Sequence, residues 1–126
     1  MDYRPPLAKV RGLGSAKSGT HHWWMQRVTA IVLIPLTLWF MLLLRHLTFS
    51  SPAQTFAWLA GPFNQFLAIS WIIAVFYHAA MGVQVVIEDY VPASSLKISL
   101  VWLVKLVFFA LALIAMIAVL RVALIG

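Results

Sequence analysis

From Val28 to Leu44 the chain runs through seventeen residues without a charged side chain, about 25 Å when wound as an α-helix. Such a stretch crosses most of a bilayer's hydrocarbon core, which is about 30 Å thick. Two more apolar stretches follow, from about Gln65 to Ile87 and from about Ile98 to Ile125. Lipid offers no partners for backbone N–H and C=O groups, so each stretch must satisfy its own and is predicted to be a helix. The expected fold class is therefore all-α, an integral membrane protein with three transmembrane helices, spanning about 23–45, 65–88 and 98–122.

Composition agrees. Of 126 residues, 63% are hydrophobic and 10% charged, whereas a soluble domain carries roughly 45–50% apolar and about 25% charged residues. A soluble α/β enzyme and a disordered chain are both excluded, and the aqueous segments are too short for a nucleotide fold or a hydrolase. There is no cysteine, hence no disulfide and no thiolate for an iron–sulfur cluster. Any electron carrier must come from a cofactor or from another chain.

Residues 1–19 form a basic arm, in which Arg4, Lys9, Arg11 and Lys17 face only Asp2, and residues 20–126 form the membrane anchor domain. Most of the net charge of +6 sits in that arm beside the first span, where it sets orientation rather than binding nucleic acid. The arm has neither the apolar run and cleavage site of a signal peptide nor the amphipathic Ser- and Arg-rich character of a mitochondrial transit peptide. A bacterial chain, in the inner (cytoplasmic) membrane, is expected. Lys97 adds to the basic side, while the opposite side offers only Arg45 and Arg121. The positive-inside rule places the N-terminus and Glu88-Asp89-Tyr90 in the cytoplasm and the C-terminus in the periplasm.

Trp23 and Trp24 anchor the first span at the headgroups, Arg45-His46 closes it, and Pro35 is expected to kink it. The connection from Thr48 to Asn64 carries Pro52, Gly61 and Pro62, with an apolar middle (Phe56, Trp58, Leu59) expected along the interface. Ser94 or Ser95 is the expected N-cap of the third helix. Lys105 is expected to snorkel back to the interface along its alkyl stem.

His78 lies near the middle of a span, where an ionisable side chain is costly and signals function. Two roles suit a deep imidazole: axial ligation of haem iron, or a hydrogen bond to a neighbouring helix. Gly82, one turn on, would admit either a flat macrocycle or a close helix. His21, His22 and His46 lie at the boundaries, so a six-coordinate haem needs its second ligand from another chain. Asp89 falls eleven residues after His78, about 20° off the same helical face and about 16 Å nearer the cytoplasm. Next to it, Tyr90 carries a phenol, a neutral hydrogen-bond donor. This pair suits a small lipophilic redox molecule, or equally an acidic helix end beside an aromatic belt. Arg27, a turn inside the tryptophans, suits an acidic cofactor group or lipid phosphate.

Two segments carry a resemblance: Gly19-Thr20-His21-His22-Trp23-Trp24-Met25-Gln26-Arg27-Val28-Thr29-Ala30, and Tyr77-His78-Ala79-Ala80-Met81-Gly82-Val83-Gln84-Val85-Val86-Ile87-Glu88-Asp89-Tyr90. Together they resemble the hydrophobic membrane anchor, D-type, of bacterial succinate dehydrogenase, respiratory complex II. The resemblance covers about Gly12 to Val91; the last helix matches only as a generic apolar span. It implies a three-helix anchor paired with a cytochrome b556-type membrane subunit, beneath an iron–sulfur subunit and a flavoprotein subunit. It further implies that His78 ligates the iron of haem b opposite a histidine of the membrane partner, with Arg27 and His21 near the propionates. The doubled His21-His22 leaves two candidates for that last role. Tyr90 would hydrogen-bond a carbonyl of ubiquinone, the substrate, with Asp89 in support. Such a chain is a non-catalytic subunit of an oxidoreductase that passes electrons from the iron–sulfur subunit to quinone. A fumarate reductase anchor and a structural anchor without haem are the alternatives. A small transporter is disfavoured, because no Asp or Glu lies inside a span.

Overall fold

A computed structural model of the chain describes residues 6–7 and 17–125. Most of the basic arm expected at residues 1–19 lies outside the described residues. Four helices follow in order: α1 (Lys17–Phe49), α2 (Pro52–Leu59), α3 (Pro62–Tyr90) and α4 (Ser94–Ile125). The three long helices are long and apolar enough to cross a membrane, as expected from the sequence.

These helices have 33, 29 and 32 residues, about 50, 44 and 48 Å, and each exceeds the predicted span. Hydropathy registers only the part of a helix that suits hydrocarbon, whereas the winding continues through the headgroup layer, which brings the thickness to about 40–45 Å. Arg45 and His46 accordingly do not end α1. It runs on to Phe49, with Thr48 Oγ1 donating back to the Leu44 carbonyl at 2.8 Å and the Ser50 N–H to the His46 carbonyl at 3.0 Å. Pro35 lies within α1, which is helical on both sides of it.

α3 is the centre of the bundle. It packs against both α1 and α4, and among the described residues those two do not pack on each other. The chain runs up, down and up, so Lys17, Tyr90 and Ser94 share one end, and Phe49, Pro62 and Ile125 the other. Few side chains are buried, and none of them on α4. Helices in lipid gain little from hiding apolar surface, so small-residue contacts and polar links between helices hold them together.

The polar links concentrate at the Pro62 end, where the connecting segment is a short helix folded onto the bundle. Ser51 caps α2 reciprocally: its hydroxyl accepts from the Gln54 N–H at 3.2 Å while Gln54 Oε1 accepts from the Ser51 N–H at 3.0 Å, with Pro52 in the first turn. Thr55 and Leu59 fall four apart, on one face, and both are buried. Of the residues expected at the interface, Phe56 is exposed, whereas Leu59 is in the core and Trp58 packs against it. Trp58 stacks between Trp39 and His46, with centroids 5.9 and 4.3 Å away. Asn64 joins three elements, accepting from Trp39 Nε1 at 2.9 Å and donating to the Trp58 carbonyl at 2.8 Å. Gln65 Nε2 reaches the carbonyls of Leu59 (2.9 Å) and Val119 (3.1 Å), tying α3 to α2 and α4.

The serine cap expected for α4 does not form. The carbonyl that opens the helix is that of Ala93, which accepts from the Lys97 N–H at 2.9 Å, and Ser94 is already helical. Lys105 does reach back toward the start of α4, with Nζ 5.4 Å from the ring centroid of Trp102.

Candidate functional site

Toward the Tyr90 end, the α1–α3 seam brings together two pairs of positions, one turn apart on each helix. Thr29 meets His78, and Gln26, three residues earlier, meets Gly82, four residues later. Both steps run toward the Tyr90 end, as antiparallel neighbours require. Thr29 Oγ1 lies 3.0 Å from His78 Nδ1, 2.7 Å from the Met25 carbonyl and 3.2 Å from that of Gln26. Thr29 is buried and His78 half-buried. A hydrogen bond to a neighbouring helix, one of the two roles open to His78, is thus present, and it occupies only one ring nitrogen. The buried side-chain atoms without a partner among the described residues are Gln26 Oε1, Gln65 Oε1 and Trp71 Nε1. His78 Nε2 is not sealed among them.

Gly82 faces α1, not an open surface. A Cβ built on it would stand 3.8 Å from Gln26 Nε2, an ordinary contact, so nothing within this chain requires glycine there.

Nearer the Tyr90 end a cleft of about 450 Å³ opens between α1 and α3, lined by His22, Trp23, Gln26, Arg27, Gln84 and Glu88 among others. Its walls carry both signs of charge. Arg27 is exposed and its guanidinium carbon lies 5.3 Å from the Trp23 ring centroid. Gln84 is buried and donates to Glu88 Oε1 at 2.8 Å. Of the doubled histidines, His22 lines this cleft and His21 does not; His21 is exposed. A second cavity, about 410 Å³ and mainly apolar, lies between α3 and α4 and is closed at one edge by His22 of α1, with Tyr77, Gln84 and Lys105 at its other polar positions.

Helix α3 persists through Tyr90, so the stripe His78, Gly82, Val85, Asp89 exists as drawn from the spacing. Asp89 and Tyr90 nevertheless line neither cavity. Tyr90 is 81% exposed, its phenol directed away from this chain's own packing. The structure therefore brings His78 to Thr29 and places Arg27 and His22 on the walls of one cleft, but leaves Asp89, Tyr90 and His21 outside both cavities.

Thr29, Gln26 and Glu88 had no expected role at the site. The signal for Thr29 was a hydroxyl at the mouth of an apolar run, one that α-helical back-bonding to a carbonyl usually explains. Only the packing of α3 reveals its second partner.

The family model for the succinate dehydrogenase/fumarate reductase transmembrane subunit matches residues 1–119. The chain belongs to this family. It is 41% identical over 106 residues to the succinate dehydrogenase hydrophobic membrane anchor subunit of Rickettsia bellii, covering 83% of this chain and 84% of that one. Similarity extends to the protein of the same description from Paracoccus denitrificans, 30% identical over 102 residues, covering 81% and 79%. A succinate dehydrogenase membrane anchor subunit from Reclinomonas americana is 32% identical over 95 residues, covering 72% and 78%. No solved structure matches. Within the transmembrane subunit family, then, this member presents a three-helix anchor whose mid-membrane imidazole is pinned at one nitrogen.

Proposed function

We propose that the chain is the membrane anchor subunit of a succinate dehydrogenase, which helps bind haem b and ubiquinone and passes electrons from an iron–sulfur subunit to quinone. The observation that carries this is His78 itself. In a chain of the succinate dehydrogenase/fumarate reductase transmembrane subunit family, it is an imidazole midway along a membrane helix with Nδ1 held by a neighbour and Nε2 without a partner among the described residues. A haem axial site asks a chain for one such nitrogen, not a cluster, and the second axial ligand would come from a cytochrome b556-type membrane subunit.

The residues around it suit the group. Arg27 and His22 supply cationic and hydrogen-bonding side chains in the cleft at the Tyr90 end, where carboxylates would be met; His21, which the resemblance also nominates, stands just outside. When bound, haem would supply one-electron chemistry beside the quinone. Tyr90 would donate its phenolic hydrogen to a quinone carbonyl, and Asp89 would orient the phenol or a water. Their exposure suits a pocket completed by other chains, the iron–sulfur and membrane partners, with the flavoprotein subunit above.

Basic residues put the N-terminus and Tyr90 on the cytoplasmic face of a bacterial inner membrane, in keeping with relatives from Rickettsia and Paracoccus. That those relatives are succinate dehydrogenase anchor subunits favours succinate oxidation over fumarate reduction.

The test is to express the whole complex with His78→Ala and record its reduced-minus-oxidised visible spectrum. The b-type band is expected to disappear while the flavoprotein and iron–sulfur subunits remain attached. A band of wild-type height would defeat the haem assignment and leave a structural anchor.

A further inference from the structure

We propose that Thr29 is a positioning residue for His78, selecting the imidazole tautomer that presents the Nε2 lone pair. This rests on the reading of His78 as a haem ligand.

Thr29 has one hydroxyl hydrogen and three candidate acceptors: the Met25 carbonyl at 2.7 Å, the Gln26 carbonyl at 3.2 Å and His78 Nδ1 at 3.0 Å. If the hydrogen goes to Met25, the shortest of the three contacts becomes an O–H···O bond of ordinary length. The hydroxyl oxygen is then free to accept, and His78 must carry its own hydrogen on Nδ1. Two hydrogen bonds form, and Nε2 is left with a lone pair.

If instead the hydrogen goes to Nδ1, one bond forms. Thr29 Oγ1 then faces the Met25 carbonyl at 2.7 Å with no hydrogen between two lone-pair-bearing oxygens. The first arrangement keeps one more hydrogen bond, a preference of about five-fold or more in population. The carbonyls belong to the α1 backbone and cannot turn away, so the helix itself holds the hydroxyl hydrogen and, through it, the ring. A partner on the far nitrogen also fixes ring rotation and raises ligand basicity, as second partners of metal-binding histidines do. Burial of Thr29 keeps water from substituting for it.

The experiment compares Thr29→Val, which keeps the shape and loses the hydroxyl, with Thr29→Ser, which keeps the hydroxyl, both in the assembled complex in native membranes. Thr29→Val is expected to lower haem per flavin several-fold. In the haem that remains, a less basic imidazole favours the reduced iron about five-fold more, raising the midpoint potential by about 40 mV at 59 mV per tenfold for one electron. Thr29→Ser is expected to restore both. Wild-type haem content and potential in Thr29→Val would overturn the proposal, as would equal defects in the two variants, which would mean that the methyl matters and the hydroxyl does not. Should Thr29→Val fail to assemble, a map of the wild-type complex decides: iron on Nε2 with Nδ1 at Thr29 supports the proposal, and iron on Nδ1 overturns it. Loss of the band in His78→Ala with Thr29→Val unaffected would sink only the role of the hydroxyl. A band persisting in His78→Ala would sink both readings.

Discussion

Gly82 and Gln26 face each other across the α1–α3 seam at a distance that leaves room for a methyl group. Gly82→Ala is therefore expected to be accepted by this chain, and the gain in helix propensity of about 0.8–1.0 kcal/mol to hold or raise the thermal midpoint of the complex in mild detergent. A fall of several degrees, or loss of the b-type band without loss of assembly, would mean that something outside this chain presses against Gly82.

Asn64 links Trp39 on α1 to the end of α2. Asn64→Ala would leave an indole N–H and a carbonyl without their partner, at a cost of about 1–3 kcal/mol for a buried group and about 0.6–1.7 kcal/mol by comparison with hydrogen bonds between membrane helices. The detergent denaturation midpoint should fall clearly, whereas Phe63→Ala, one residue away but exposed, should hardly move it. Equal effects of the two would remove the link's importance.

Gln65 connects α3 to α4 through the Val119 carbonyl. Gln65→Leu keeps the bulk and removes the donor, so a loss of about 1 kcal/mol is expected. Faster amide hydrogen exchange around residues 117–123 than in wild type would register it; unchanged exchange there would show that α4 is held by other contacts.

Tyr90→Phe deletes only the phenolic hydrogen-bond donor from an exposed ring. Quinone reduction by succinate is expected to slow by about five- to ten-fold, the scale of one lost hydrogen bond in the transition state, while succinate oxidation by an artificial dye that bypasses the membrane stays near wild type. If both rates fall together, the substitution has damaged assembly and Tyr90 has no special part in quinone binding.

The three long helices were legible in the sequence because a membrane span is a one-dimensional property: twenty or so apolar residues in a row need no knowledge of their neighbours. The continuation of α3 through Asp89 and Tyr90 lies beyond the expected span of 65–88, because hydropathy drops at Glu88 while the helical winding does not. What needed the third dimension was everything that depends on which helix stands beside which. Thr29 reads as a common polar residue until α3 brings His78 to it. His21 and His22 are equivalent in composition until the winding of α1 turns one into the cleft and the other out. The short helix α2 was hidden by its own brevity: eight residues flanked by prolines and glycine look like a loop, and only the burial of Thr55 and Leu59 against α1 and α3 makes the winding worthwhile.

Helix α4 offers no side chain that is buried by its neighbours. Val119 and Val122 nonetheless pack against the Trp39, Leu59 and Ala68 core, so an exchange of one aliphatic residue for another meets little resistance from within the chain only away from that patch. Changes along the rest of the helix leave the Thr29–His78 contact untouched, so the most apolar of the three spans can vary in side chain without disturbing the site.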